Sequence, residues 1–545
     1  MLWLLTTLLS VALCNCDDGE WRQVRTAQGD VRGRKDPDGG LYAFYNIPYA
    51  SVPKGTDRFK APLPPPSWLK PLEAVDEGII CPQSPTPFIN VSSKIMKEEC
   101  LIANIYVPDT EDKNLPVIVN VHGGGFIIGY GNMIMPKNLV RSKKVIVVNF
   151  NYRIGVHGFL CLGSKDAPGN AGLKDQVALL RWVNRNIANF GGNPDDVTIT
   201  GGSAGSISVH LLMLSKAAEG LFTKVIPESG VNVGSVSVQA DPLKNAKVYA
   251  TMLNFTDVDD FYALEEFYKT APLKSLHMNS FLDRKDSSML IAPCVERETG
   301  EERILVDAPV NIIKQGKYKK VPILIGTTNM EALVQVVNLE IWKDAMNENF
   351  SDFLPGDLQF EDEEEKKVIG QKVKEFYFGD QYIEYFSDVV FGYPTFRSVK
   401  LEVEADHDQI YLYEYSFVDE NTPVVPYTNV KGATHCAQTS AILDGVSFDS
   451  TDESNLSKEY KQMKSMLRDM WSNFVVHGKP VLKGSSLPAW PAAGANGSPY
   501  MSLGQEVKLG GAYLEKRAQF WDGIYEKYYR SPVAPPEPPQ KHVEL

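Results

Sequence analysis

Short apolar runs separated by glycine-rich turns dominate the pattern of this 545-residue chain. Residues 117–121 (VIVNV), 145–149 (VIVVN), 197–200 (VTIT) and 322–325 (PILI) are rich in Val and Ile and lack strict polar alternation, so they predict strands buried on both faces. Residues 175–190 place apolar side chains at 177, 180, 183 and 187, the spacing of one helical face, and the turn residues 191–195 stop the run. Strand, turn and helix recur in this way, which predicts a parallel or mixed sheet covered by helices. Residues 207–214 read as a further helix and 410–415 as a further strand. The charge run 361–367 (EDEEEKK) predicts an exposed helix, and the Pro-rich stretch 531–541 an extended, unpacked tail.

Composition narrows the class. With 43% hydrophobic and 23% charged residues the chain has ample material for a large core, which excludes a mainly disordered protein. Its 55 basic and 68 acidic residues leave a net charge of −13, which opposes binding to nucleic acid or anionic lipid. Seven Cys are too few for a disulfide scaffold.

The apolar run at 2–13 is too short to span a bilayer, and Cys14 and Cys16 sit at the −3 and −1 positions for cleavage before Asp17. Residues 1–16 therefore predict a signal peptide and entry into the secretory pathway, followed by a domain at 17–530 and a tail at 531–545. No later run approaches the length of a membrane span. Removing the leader leaves Cys81, Cys100, Cys161, Cys294 and Cys436, an odd set with at least one free thiol. Cys81 and Cys100 bracket a Pro/Ser-rich segment that a disulfide could close, worth ~3 kcal/mol in the chain-entropy picture. Glycosylation sequons begin at Asn90, Asn254, Asn349, Asn455 and Asn496.

Three places carry chemistry. Gly201-Gly202-Ser203-Ala204-Gly205 lies between a strand and a helix, the context of a nucleophile elbow, in which a sharp turn lifts the serine hydroxyl clear of the sheet. His122-Gly123-Gly124-Gly125-Phe126 follows another strand, and a glycine run lets backbone N–H groups converge on a developing oxyanion. A serine hydroxyl also needs a histidine to take its proton and a carboxylate to orient that histidine. Of the eight His, those at 122, 157 and 210 precede or crowd the elbow and His542 is in the tail. His435 lies in a glycine-containing loop after the strand 410–415, whereas His277, His407 and His477 read as surface or structural. Glu331 follows the strand 322–325 and a turn, and is one candidate acid among many.

These residues resemble the type-B carboxylesterase family, the carboxyl/cholinesterase branch of the α/β-hydrolases, over about 24–525. The similarity extends through Gly29-Asp30-Val31-Arg32-Gly33, Ile47-Pro48-Tyr49-Ala50, Glu98-Glu99-Cys100-Leu101, Asn151-Tyr152-Arg153 and the stretch from Gly169 to Gln176. The resemblance implies a single α/β-hydrolase domain with a mostly parallel sheet. It further implies Ser203 as nucleophile, Glu331 as acid, His435 as base, and the N–H groups of Gly124, Gly125 and Ala204 as the oxyanion hole. Ser229 resembles a buried serine that supports the acid, and Cys81–Cys100 matches the family's first disulfide. A second family disulfide is not evident, so Cys161, Cys294 and Cys436 are expected to stay reduced.

Two departures bear on substrate. Gly202 stands where relatives usually carry Glu or Gln, and Cys436-Ala437-Gln438 follows His435 where relatives commonly have Gly and acidic residues. The Cys81–Cys100 loop holds no Trp for a cation–π contact, which disfavours a cholinesterase. The expected activity is two-step hydrolysis of small or medium aliphatic, xenobiotic or odorant esters, as in similar insect carboxylesterases, with water as co-substrate and no cofactor or metal. The alternatives are a non-catalytic adhesion or binding protein on the same fold, and a neutral-lipid lipase. The ending His542-Val543-Glu544-Leu545 resembles the retention signals of endoplasmic-reticulum carboxylesterases, so a retention receptor is an expected partner and secretion the alternative.

Overall fold

A computed structural model describes residues 20–540, apart from 77, 87–88, 90, 278–283, 378–381, 426–429 and 445–452. The signal-peptide run, Asn90 and the HVEL ending lie outside the described residues.

The sheet begins with β1 (Trp21–Arg25), β2 (Asp30–Lys35), β3 (Leu41–Pro48) and β4 (Ile102–Pro108), which pair antiparallel in that order. β5 (Leu115–Val121), β6 (Ile146–Phe150), β7 (Gly192–Gly202), β8 (Lys224–Glu228), β9 (Ile323–Thr328), β10 (Ile410–Tyr415) and β11 (Tyr500–Leu503) follow, and β12 (Val507–Gly510) closes the far edge. Across the sheet the order is β1-β2-β3-β4-β6-β5-β7-β8-β9-β10-β11-β12, with every pairing from β6 to β11 parallel. The crossovers carry helices, including α1 (Ala171–Asn186), α2 (Ala204–Leu214), α3 (Glu363–Phe376), α4 (Ala437–Ile442) and α5 (Lys458–His477). This is the α/β-hydrolase architecture.

The strand alternation sorts side chains into two cores. Val117, Val119 and Val121 of β5 join Ile146 and Val148 of β6 on one face, while Ile118 and Val147 point into the other. In β10, Ile410 and Leu412 join the first core and Tyr411, Tyr413 and Tyr415 the second. Both faces are therefore dry, which is why the central strands read as continuous Val/Ile runs.

Two expectations are corrected. Cys161 and Cys294 form a second disulfide beside Cys81–Cys100, leaving Cys436 free. The partners lie 133 residues apart, so no local spacing announces them. The fold joins them where Gly169, at φ +107°, packs so closely that a Cβ would sit 2.6 Å from Cys294 Sγ and 2.8 Å from Cys161 Sγ. Asn170 holds the same corner, donating to the Cys294 carbonyl and accepting from its N–H. The tail is also packed rather than free. Pro535 is buried and lies against Gly163, Tyr262 donates its hydroxyl to the Pro539 carbonyl at 2.5 Å, and Glu537 faces Arg297. Of the sequons, Asn254, Asn455 and Asn496 are exposed, whereas Asn349 is half-buried and bonded to Ser351 and Asp352. No helix among the described residues is long and apolar enough to cross a membrane.

Candidate active site

The parallel strands deliver the predicted residues to one edge of the sheet, where β7 ends at Gly202 and α2 begins at Ala204. Ser203 between them has φ +58° and ψ −125°, a conformation that L-residues rarely adopt. It is held there because its N–H donates to the Glu228 carbonyl at 2.9 Å and its own carbonyl accepts from Ile207 at 3.0 Å. The flanking glycines are steric necessities. A Cβ on Gly205 would lie 2.0 Å from the Val121 oxygen, and one on Gly201 would lie 2.5 Å from the Gly205 carbonyl carbon. Backbone strain of this kind concentrates at functional sites.

β5 ends at Val121, and only His122 separates it from the glycine run. Gly124 at φ +106° and Gly125 at φ +59° turn the chain, and the Gly124 carbonyl accepts from Ile127 and Ile128. A Cβ on Gly124 would lie 2.1 Å from the Ile128 oxygen. The loop lies against the elbow, since a Cβ on Gly123 would meet Ser203 Cβ at 3.1 Å. The N–H groups of Gly124 and Gly125 have no protein acceptor among the described residues. Ala204 opens α2, so its N–H has no partner earlier in the helix, at the end where the helix dipole favours negative charge. His122 is buried and stacked on Tyr152 at 4.3 Å, and burial pulls its pKa down to about 4, so the ring is a neutral support for the loop.

Glu331 starts the short turn Glu331–Gln335 just past the end of β9 and is buried. Its Oε1 accepts from the Thr328 N–H at 2.7 Å, and its Oε2 lies 2.5 Å from His435 Nδ1. A carboxylate there selects the tautomer with the proton on Nδ1 and leaves Nε2 to accept one. Burial opposes the charged imidazolium, but the Cys436 sulfur and the Glu331 carboxylate outweigh it and raise the His435 pKa. The ring also packs on Phe391, 4.5 Å away on a π-helical turn, Asp388–Gly392. Ser203, Gly124 and His435 are partly exposed, as are Gly202 and Cys436 beside them.

Ser229 is fully buried at φ +58°, but its hydroxyl accepts from Gln438 at 2.9 Å rather than contacting Glu331, whose other oxygen Thr328 already holds. Two of the histidines set aside from the sequence are structural: His407 Nε2 lies 2.7 Å from the Val321 carbonyl, and His210 is buried beside Glu402. Phe391 and Thr439 were not singled out from the sequence. Only the fold brings Phe391 to His435 and Thr439 to Glu228, 211 residues away in the chain, so no local pattern identifies these contacts.

With this geometry in place, comparison with known proteins is decisive. The profile of the carboxylesterase family matches residues 20–521. The chain belongs to the carboxylesterase family. This carboxylesterase is 33% identical over 504 residues to juvenile hormone esterase of Heliothis virescens, covering 87% of this chain and 88% of that protein. It is 30% identical to para-nitrobenzyl esterase of Bacillus subtilis (strain 168), covering 86% and 92%. Its fold superposes on the crystal structure of Manduca sexta juvenile hormone esterase with OTFP covalently attached, at a TM-score of 0.81 and 31% identity, over 93% of this chain and all of that one. It is a carboxylic ester hydrolase.

Proposed function

We propose that this hydrolase works through an acyl-enzyme on Ser203, with His435 as general base and Glu331 as the orienting acid. The observation that carries the reading is the Glu331–His435 contact of 2.5 Å, with the next residue, Cys436, packed against Gly202 of the strained strand-to-helix turn that holds Ser203. Ser203 Oγ attacks the ester carbonyl carbon while His435 Nε2 takes its proton. The carbonyl oxygen becomes an oxyanion facing the N–H groups of Gly124, Gly125 and Ala204. Collapse breaks the bond to the alcohol, which leaves with the proton from His435. Water, deprotonated by the same histidine, then releases the acid and restores Ser203.

The substrates are small or medium aliphatic, xenobiotic or odorant esters. The similarity to insect esterases and to para-nitrobenzyl esterase supports this. The experiment is a panel of p-nitrophenyl esters of increasing acyl length, with juvenile hormone and a triglyceride as further arms. Highest kcat/KM on short and medium acyl chains is expected. Preference for the triglyceride would make the protein a lipase, and a folded but silent protein would make it a binding member of the fold.

The two disulfides support entry into an oxidising, secretory compartment. The HVEL ending supports retention in the endoplasmic reticulum through a receptor, with exposed sequons available for glycosylation. Endoglycosidase H sensitivity of the intracellular protein, and secretion after deletion of residues 542–545, test both.

A further inference from the structure

Gly202 leaves a flank of the elbow open, and α4 fills it directly. A Cβ at Gly202 would lie 3.1 Å from Cys436 Sγ and 3.3 Å from Thr439 Oγ1. Thr439 sits four residues after His435, and its hydroxyl donates to Glu228 Oε2 at 2.9 Å. The other oxygen of the same carboxylate, Oε1, accepts from the Trp471 indole N–H of α5 at 3.0 Å. Glu228 is buried at the end of β8, and among the described residues no cation pairs with it. Its main-chain carbonyl is the group that accepts from the Ser203 N–H. One residue thus bonds the nucleophile through its backbone and the helix after the base through its side chain. Burying a carboxyl group without a counter-ion is costly whether it ionises or takes up a proton, so the site calls for a role beyond packing.

We propose that Glu228 and Thr439 are positioning residues that clamp the His435 loop to the Ser203 elbow. The proposal rests on the catalytic reading above. Glu331 fixes the His435 ring, and the clamp fixes the backbone on which that ring is carried. The link needs a hydrogen-bond partner, donor or acceptor, facing the Thr439 hydroxyl. Gln at 228 keeps it, with the amide oxygen toward Trp471 and the amide N–H toward the threonine oxygen, because a hydroxyl both donates and accepts.

The test compares Thr439→Val, Trp471→Phe and Glu228→Gln in the full-length protein. Thr439→Val keeps the shape and removes the donor on the base side. Trp471→Phe removes the other donor and leaves that link. Since a misplacement of ~1 Å can cost roughly 100-fold, Thr439→Val is expected to lower kcat by about 10- to 100-fold with KM changed little. Trp471→Phe and Glu228→Gln are expected to lower kcat by less than about threefold, whatever their melting temperatures. Iodoacetamide alkylation of Cys436, next to His435, gives a readout independent of hydrolysis. It should quicken in Thr439→Val and not in Trp471→Phe. Equal effects of the two variants on both readouts, or an unchanged Thr439→Val, would overturn the clamp. If Ser203→Ala kept full hydrolysis, the catalytic reading would fail while the alkylation rates still decided the clamp.

Discussion

His435 Nδ1 lies 2.5 Å from Glu331 Oε2, although 104 residues separate the two in the chain. The contact exists because β9 and β10 are parallel neighbours, so the loops after both strands emerge at the same edge of the sheet. It also sets the tautomer and the charge balance of the base, from which the first predictions come.

Glu331→Gln keeps the size of the side chain but presents an amide in place of the carboxylate. A carboxamide there misorients the imidazole and selects the wrong tautomer, and in the serine-triad template that change costs roughly 10⁴ in kcat. We expect a loss of about 10³- to 10⁴-fold in kcat with KM changed little, measured by steady-state hydrolysis of p-nitrophenyl butyrate.

The pH profile follows from the same pair. His435 acts as a base only when neutral, and its pKa is raised by the Cys436 sulfur and Glu331 against the opposing effect of burial. Activity should be present above that pKa and be lost as pH falls through it. The acid limb of kcat/KM is therefore expected above the ordinary histidine value of about 6.5. Cys436→Ala should move the limb down. A limb below the ordinary value in the wild type would contradict this balance.

Much of this was legible in the chain. The strand expected at 410–415 is the strand observed, and the one expected at 117–121 lies within Leu115–Val121. Buried parallel strands leave an unbroken Val/Ile signature, and a nucleophile elbow leaves its glycines because neighbouring backbone comes within 2.0 Å of where a Cβ would be. What escaped was long-range. Cys161 and Cys294 carry no spacing cue, nothing in the local pattern marks Glu228, and a Pro-rich composition predicts an extended tail but not that Pro535 docks on Gly163.

The glycine loop yields a third prediction. Ala at 124 would force φ +106° on an L-residue and drive its Cβ to 2.1 Å from the Ile128 oxygen. The loop must shift, and loss of one oxyanion donor costs about 10²- to 10³-fold in kcat. We expect Gly124→Ala to lose at least that much with substrate KM little changed, a split read from steady-state kinetics.

Disulfide removal should be graded by loop size. In the chain-entropy picture, replacing Cys161 and Cys294 by Ser should cost about 4–5 kcal/mol and replacing Cys81 and Cys100 about 3 kcal/mol. Urea denaturation at neutral pH checks the order. Thiol titration of the denatured, unreduced protein should find Cys436 free.

Glu228 predicts a pH dependence of stability. Burial pushes its pKa up to about 8, so the folded state holds a proton that the unfolded chain releases near the ordinary carboxyl value. Between those two values the folded state binds more protons than the unfolded one, so this group makes stability fall as pH rises. Glu228→Gln should flatten the decline in melting temperature across roughly pH 5–8, read by calorimetry. An unchanged slope would contradict a buried, uncompensated carboxyl group.

The central claim is that Ser203 is the nucleophile. The most direct measurement is covalent labelling of the folded protein with a fluorophosphonate, followed by peptide mass analysis. The account predicts one phosphonyl adduct, on Ser203, with rate and hydrolysis lost together in Ser203→Ala. An adduct on another residue, or hydrolysis that survives Ser203→Ala, would contradict it.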